Sequence, residues 1–303
     1  MMGRLGAHLL LGLLRGLAVL PLSVQAAIGN ALGSLLFVLA GSRRKVALRN
    51  LELCLPELDE PARRALAREH FRWLGRSLLE RGLLWHAPVA RLERLIHVEG
   101  DIGLAQRSDK PVMWLVPHFV ALDVAGVATQ IFQTRMVASI YQAQSNPVFD
   151  AAMRHGRLRF GQGQVFARSE KALPLVRAVR RGWAFFNLPD MDFGARDAAF
   201  VPFFGVPCAT LLAPARMARS LGMVVQPVVA QMLPGGQGYR VHFLPPWEDF
   251  PGDDDEAAAR RMNQWIESEI RRNPSQYLWV HRRFKTRPEG QPSLYGGPPK
   301  PPR

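Results

Sequence analysis

The sequence predicts an α/β protein: a mainly parallel mixed sheet flanked by helices, preceded by an N-terminal membrane-anchoring helical segment. Two observations carry this. From Leu95 onward, short apolar runs alternate with helix-period stretches, the pattern of an α/β sandwich. Before that point, Gly16 to Ser42 contains no charged residue. No internal repeat period is visible, so the alternation is not a solenoid.

The N-terminal segment comes first. A helix needs about 20 largely apolar residues to cross a bilayer. Pro21 interrupts the run, so residues 22–40 form the better membrane segment, and residues 9–20 an amphipathic or interfacial stretch. Val24-Gln25-Ala26 loosely resembles a signal-peptide cleavage site, but apolar sequence resumes after it, unlike a cleaved leader. Arg43, Arg44, Lys45 and Arg49 follow directly, which places the body on the cytoplasmic side of a single anchor. A buried helical pair in a soluble fold is the competing reading.

Next, residues 44–55 read as a short amphipathic helix ended at Pro56, and residues 60–85 as a longer helix. The longer one carries Arg63, Arg64, Arg68, Arg72 and Arg76. This basic face would lie against anionic headgroups, at roughly 1 kcal/mol per residue near the surface, or simply face water. Strand-like runs then follow: IHVEG, PVMWLV, RMVASIY, WAFFNL, VVQPVVAQML and YRVHFL. They alternate with helical stretches around 120–132, 146–159, 170–181, 211–221 and 254–272. Three segments result: an anchor over 1–42, an α/β domain over 43–290, and a Pro-rich tail over 291–303 that is a poor core former.

Composition narrows the partners. Lys and Arg outnumber Asp and Glu by 39 to 25, a formal charge of +14 over 303 residues. Such a field attracts nucleic acid, anionic lipid or acidic proteins. The aromatics lie mostly in apolar runs rather than among the arginines, which argues against nucleic acid. Cys54 and Cys208 are too few for a disulfide framework and show no zinc-type spacing, so they are expected as reduced core residues.

Four segments could carry chemistry. The first is Pro117-His118-Phe119-Val120-Ala121-Leu122-Asp123, at a strand-to-helix corner. An imidazole there can take a proton from a hydroxyl, and a carboxylate one helical turn on can orient it. A His capping a strand and an Asp favoured by a helix dipole would look the same. The second is residues 187–210, beginning where α/β folds place ligand sites. Here Asp190 and Asp192 read as a metal pair, as carboxylates for sugar or amine groups, or as a turn held by its own side chains. The apolar AFVPFFG after them reads as a loop lining a hydrophobic pocket.

The third segment is Arg154-His155-Gly156-Arg157-Leu158-Arg159, whose guanidinium groups suit a phosphate. The fourth is His281-Arg282-Arg283-Phe284-Lys285-Thr286-Arg287, which could grip a phosphorylated acceptor or an acidic carrier, or act only as a non-specific basic patch. No G-x-S-x-G nucleophile elbow is present.

Taken in order and spacing, these elements resemble the bacterial late lipid A biosynthesis acyltransferases, lauroyl/myristoyl transferases of the His-x4-Asp/Glu type. The likeness runs over nearly the whole chain: the apolar helix, RNLELCLPEL, PHFVALD, NPVFD, GRLR, LPDMDFG with FVPFFG, and QYLWVHRRFKTRPEG. The His-x4-Asp element is similar to that of glycerolipid acyltransferases generally. The resemblance implies an inner-membrane enzyme that moves a fatty acyl group from acyl carrier protein thioester to a hydroxyl of a phosphorylated lipid A precursor, without metal or cofactor.

Carried onto this chain, it makes His118 the general base and Asp123 its orienting partner. Asp190 and Arg157 would bind or position the glycolipid, with Arg159 a companion. Asp192, His281, Arg282 and Arg283 are further substrate-binding candidates. Two positions depart from the pattern: Asp123 stands where many members have Glu, and Gln142 follows Tyr141 where members often carry Arg. Three other readings stay open. They are transfer to another membrane glycolipid or phospholipid, a membrane-associated esterase, and a non-catalytic protein that binds anionic lipid.

Overall fold

The computed structural model describes residues 3–296. Among the described residues five helices precede the sheet, the first four being α1 (Arg4–Leu17), α2 (Leu22–Leu39), α3 (Gly41–Cys54) and α4 (Glu60–His86). Short α5 (Val89–Leu95) leads into β1 (Ile96–Gly100), followed by α6 (Leu104–Arg107), β2 (Val112–Leu115), α7 (Leu122–Ile131) and β3 (Val137–Tyr141). Then come α8 (Pro147–Leu158), β4 (Gly163–Ala167), α9 (Leu173–Arg180), β5 (Ala184–Asn187), β6 (Ala198–Phe203) and β7 (Val206–Leu211). The order closes with α10 (Ala213–Ser220), β8 (Val224–Met232), β9 (Tyr239–Phe243) and α11 (Asp255–Arg272).

Seven strands form one sheet in the order β1-β9-β8-β2-β5-β3-β4, parallel except for the β8–β9 pair. This is the predicted mainly parallel mixed sheet. β2 lies at its centre and is buried on both faces, so it reads as an unbroken apolar run rather than an alternating one. Val112 and Trp114 pack with α4, α7 and α8 on one side, while Met113 and Leu115 pack with α9, α10 and α11 on the other. The one polar atom of Trp114 is satisfied by donating to Gln226 at 3.1 Å.

Helix starts follow local chemistry. Asp59 caps α4 by accepting from Ala62 N, with Pro61 in the first turn. Asn146 caps α8 through Val148 N and Phe149 N, and Pro147 opens it. Asp254 caps α11, which begins with Asp255 and Glu256 and ends with Arg271 and Arg272, as its dipole favours.

Among the described residues, α2 is the one helix long and apolar enough to cross a membrane. It does not stand free, because glycines bring it onto α4. A Cβ on Gly33 would lie 2.0 Å from Phe71 O, and one on Gly75 2.3 Å from Gly29 O. Its outer side exposes Val24, Ile28, Leu35, Val38 and Leu39, continued by Leu5, Leu9 and Leu13 of α1.

Three expectations change. Arg76 is not part of a basic surface on α4: it is fully buried, paired with Glu80 at 2.7 Å and donating to Leu233 O. Residues 199–205 are not a pocket loop. They form β6 and the turn of an antiparallel β6–β7 hairpin, with Val201 and Phe203 turned into the core. β4 adds a strand beyond those the sequence predicts: Gly163-Gln164-Val165-Phe166-Ala167 is short and half-exposed at the sheet edge, without a clear apolar pattern. Of the Pro-rich tail, residues 297–303 lie outside the described residues. Its beginning is packed: Tyr295 OH accepts from Phe284 N at 3.1 Å and donates to Asn50.

Candidate active site

The parallel pairing of β2 with β5 builds the site. Leu115 is in register with Asn187, so the chains leaving the two carboxyl ends run side by side. Three residues beyond each lie His118 and Asp190. The His118 ring nitrogen Nδ1 bonds to Asp190 Oδ1 at 2.6 Å, and the His118 backbone N–H donates to Oδ2 at 2.9 Å. Asp190 is buried. Burial pushes its carboxyl up, but the His118 charge and hydrogen bonds, with Arg283 beyond, bring it below the usual range. An ionised Asp190 fixes the proton of His118 on Nδ1 and leaves the lone pair on Nε2. Among the described residues that Nε2 has no hydrogen-bond partner, and it is not sealed from solvent. An imidazole held this way can accept a proton from a ligand hydroxyl.

The carboxylate at the His118 ring is therefore Asp190's, where the sequence pointed to Asp123. Asp123, in the first turn of α7, faces two guanidinium groups instead. Arg157 donates to its Oδ1 from Nε at 3.1 Å and Nη2 at 2.7 Å, and Arg81 Nε lies 3.2 Å from Oδ2. Burial raises the Asp123 carboxyl, but Arg157 and then Arg81 bring it down to about 2. Asp123 thus ties α7 to α8 and α4, and holds Arg157 in place. Nothing in the sequence singled out Arg81.

Asp192 is a fixed structural carboxylate. It accepts from Thr286 N at 2.6 Å, Thr286 Oγ1 at 2.7 Å and Gly194 N at 3.0 Å. Its own N–H donates to His281 Nε2 at 3.2 Å. Among the described residues no group of three or more His, Cys, Asp or Glu is placed to hold a metal ion.

Beside Asp123 and Arg157 opens a recess, about 640 Å³ with the open solvent at its mouth included. Its wall is mostly apolar: Trp85 of α4, Leu122, Gly126 and Val127 of α7, Val137 of β3, Val165 of β4, and Phe186 and Leu188 leading to Asp190. Gly156 lies so close to Trp85 that a Cβ there would meet the indole at 2.3 Å.

An imidazole held by a buried carboxylate, with an apolar recess opening along the helix that follows it, is compatible with acyl chemistry, and the chain can be compared with known proteins. The family model for bacterial lipid A biosynthesis acyltransferases matches residues 1–286. The chain belongs to that family. It is 35% identical over 288 residues to the lipid A biosynthesis lauroyltransferase of Escherichia coli (strain K12), covering 94% of this chain and 93% of that one. It is 34% identical over 279 residues to that organism's lipid A biosynthesis palmitoleoyltransferase, covering 91% and 90%. To its lipid A biosynthesis myristoyltransferase the identity is 32% over 294 residues, covering 96% and 90%.

The remaining candidates in this acyltransferase are spread out. Arg159 turns away from the recess, donating to Ala87 O and stacking on Phe160 at 4.5 Å. Arg282 is exposed, its guanidinium 5.7 Å from the Tyr295 ring. Arg283 points inward, donating to Ala209 O at 2.8 Å and Thr210 Oγ1 at 3.1 Å. It is a strut holding β7 to the C-terminal segment, since a buried guanidinium with these partners presents nothing to a ligand. Gln142 is exposed just after β3. Cys54 and Cys208 are unpaired and buried, and burial raises both thiols, Cys208 to about 11.

Proposed function

We propose that this acyltransferase moves a fatty acyl group from an acyl carrier protein thioester to a hydroxyl of a phosphorylated lipid A precursor. His118 serves as general base and Asp190 as its orienting partner. The observation that carries the reading is the His118 ring itself, bonded through Nδ1 to a buried carboxylate while Nε2 remains open.

The reaction balances on these groups. Nε2 of His118 takes the proton of the acceptor hydroxyl as its oxygen bonds to the thioester carbon. Collapse of the tetrahedral intermediate breaks the C–S bond, and the imidazolium returns the proton to the thiolate. An alcohol is a poor nucleophile near neutral pH, and base assistance of this kind contributes about 10²–10⁴-fold. Direct transfer between two bound substrates requires no acyl-enzyme.

The apolar recess suits a hydrocarbon chain, and the relatives carry lauroyl, palmitoleoyl and myristoyl in their names. Arg157, on the recess wall and steered by Asp123, is suited to position an anionic acceptor group. The formal charge of +14 favours an acidic carrier protein and an anionic lipid surface. The apolar outer faces of α1 and α2, followed by Arg43, Arg44 and Lys45, support attachment to the inner membrane with the α/β domain on the cytoplasmic side.

The test is mass spectrometry of products from purified protein, acyl carrier protein thioester and lipid A precursor. Transfer adds one fatty acyl group to the glycolipid. Free fatty acid with an unchanged glycolipid would identify a hydrolase, and absence of both products a binding protein.

A further inference from the structure

The loop that carries Asp190 also holds a second imidazole. Two residues after the carboxylate on His118, the backbone N–H of Asp192 donates to Nε2 of His281. His281 reaches this point because its segment is strapped across the His118 corner. Leu278 N donates to His118 O at 2.9 Å, Phe119 bridges to Tyr277, and His281 O accepts from Asn50 Nδ2 at 2.7 Å. Asp192, fixed through Thr286 and Gly194, holds the amide that orients the ring.

A ring nitrogen that accepts from a backbone amide carries no proton, so the proton of the neutral His281 ring sits on Nδ1. Nδ1 has no hydrogen-bond partner among the described residues and is not sealed from solvent. Burial, then the neighbouring His118 and Arg283, push this imidazole down to about 4. Near neutral pH it is thus an unengaged donor on the segment strapped across the His118 corner, with its lone pair already taken by the Asp192 amide. It cannot act as a second base.

We propose that His281 is a further catalytic residue, its Nδ1–H donating a hydrogen bond to the thioester carbonyl oxygen as that oxygen becomes an oxyanion. This rests on the acyl-transfer reading above. In the addition step the acceptor proton goes to Nε2 of His118 and the carbonyl π pair moves onto oxygen. The Nδ1–H of His281 stays on its nitrogen throughout. A fixed donor at a developing oxyanion contributes about 10²–10³ in kcat.

The experiment compares His281→Ala, His281→Asn and His118→Ala in the full chain, with acyl carrier protein thioester and lipid A precursor as substrates. His281→Ala lowers kcat by about 10²–10³ and leaves both KM values within a few-fold. His281→Asn, whose amide N–H falls near the lost Nδ1–H, regains at least about tenfold over Ala. If the Ala variant does not fold, His281→Leu takes its place in the same comparison. Wild-type kcat without the imidazole, a loss confined to KM, or equal rates for Asn and the donorless variant would overturn the proposal. His118→Ala separates the two claims: undiminished turnover there defeats the base assignment, whatever His281 does.

Discussion

Asp190 holds His118 twice, by the ring at 2.6 Å and by the backbone N–H at 2.9 Å. One buried carboxylate therefore sets both the turn of the chain after β2 and the tautomer of the ring that the turn presents. Asp123, nearer in sequence, serves the guanidinium groups of Arg157 and Arg81 instead.

This division of labour predicts different consequences for the two carboxylates. Asp190→Asn loses about 10²–10⁴ in kcat, because an amide can hold the imidazole in the wrong tautomer. Asp123→Asn acts mainly by releasing Arg157, so its loss lies more in KM for the glycolipid. Steady-state kinetics on both variants decide the matter, and the reverse pattern would return the orienting role to Asp123.

Acid stability should report on Asp123. Its folded carboxyl sits at about 2, below its value near 3.9 in an unfolded chain. The unfolded state therefore binds the extra proton, and stability from this group is present above about pH 5 and lost as pH falls towards 2. The shift corresponds to roughly 2–3 kcal/mol. Thermal unfolding of Asp123→Asn from pH 6 to pH 3 should show a shallower acid limb than wild type. Parallel curves would exclude the contribution.

The recess predicts control of chain length at Gly126. It lines the wall, and a Cβ built there meets nothing within 4 Å. Gly126→Leu adds bulk to the cavity rather than to the core, so donor preference moves to shorter acyl chains. Each methylene excluded is worth about 1–3 kcal/mol of discrimination. Competition between carrier-protein thioesters of different length measures the shift, and an unchanged preference would place the acyl chain elsewhere.

Gly33 makes the contrasting prediction. A Cβ there would collide with Phe71 O and the Arg72 backbone, which cannot yield as a flexible side chain would. Gly33→Leu separates α2 from α4 and lowers the melting temperature by many degrees. Gly126→Ala, an interior helix position with open space around it, holds or raises it.

Much of this architecture was legible in the sequence. The β2 run and the strand-to-helix corner at His118 each follow from residues close together in the chain. The partner of His118 was not legible, because the adjacency of β2 and β5 is a property of strand order. Once that adjacency is known, the equal three-residue offsets from Leu115 and Asn187 single out the pair. The hairpin of β6 and β7 was hidden by Pro202, Gly205 and Pro207, which read as loop residues. Pro202 and Pro207 sit opposite one another in that isolated two-stranded ladder, where missing donors do least harm. Arg76 and Arg283 looked like surface cations, since composition does not show that Glu80, or the carbonyl of Ala209, will meet a guanidinium inside.

The most direct test is the rate of acyl transfer by purified His118→Ala, with folding verified by an unchanged melting transition. Loss of at least about 10²-fold in kcat, with both substrates still bound, is the predicted result. Transfer at a rate near wild type would show that the proton of the acceptor hydroxyl leaves by another route.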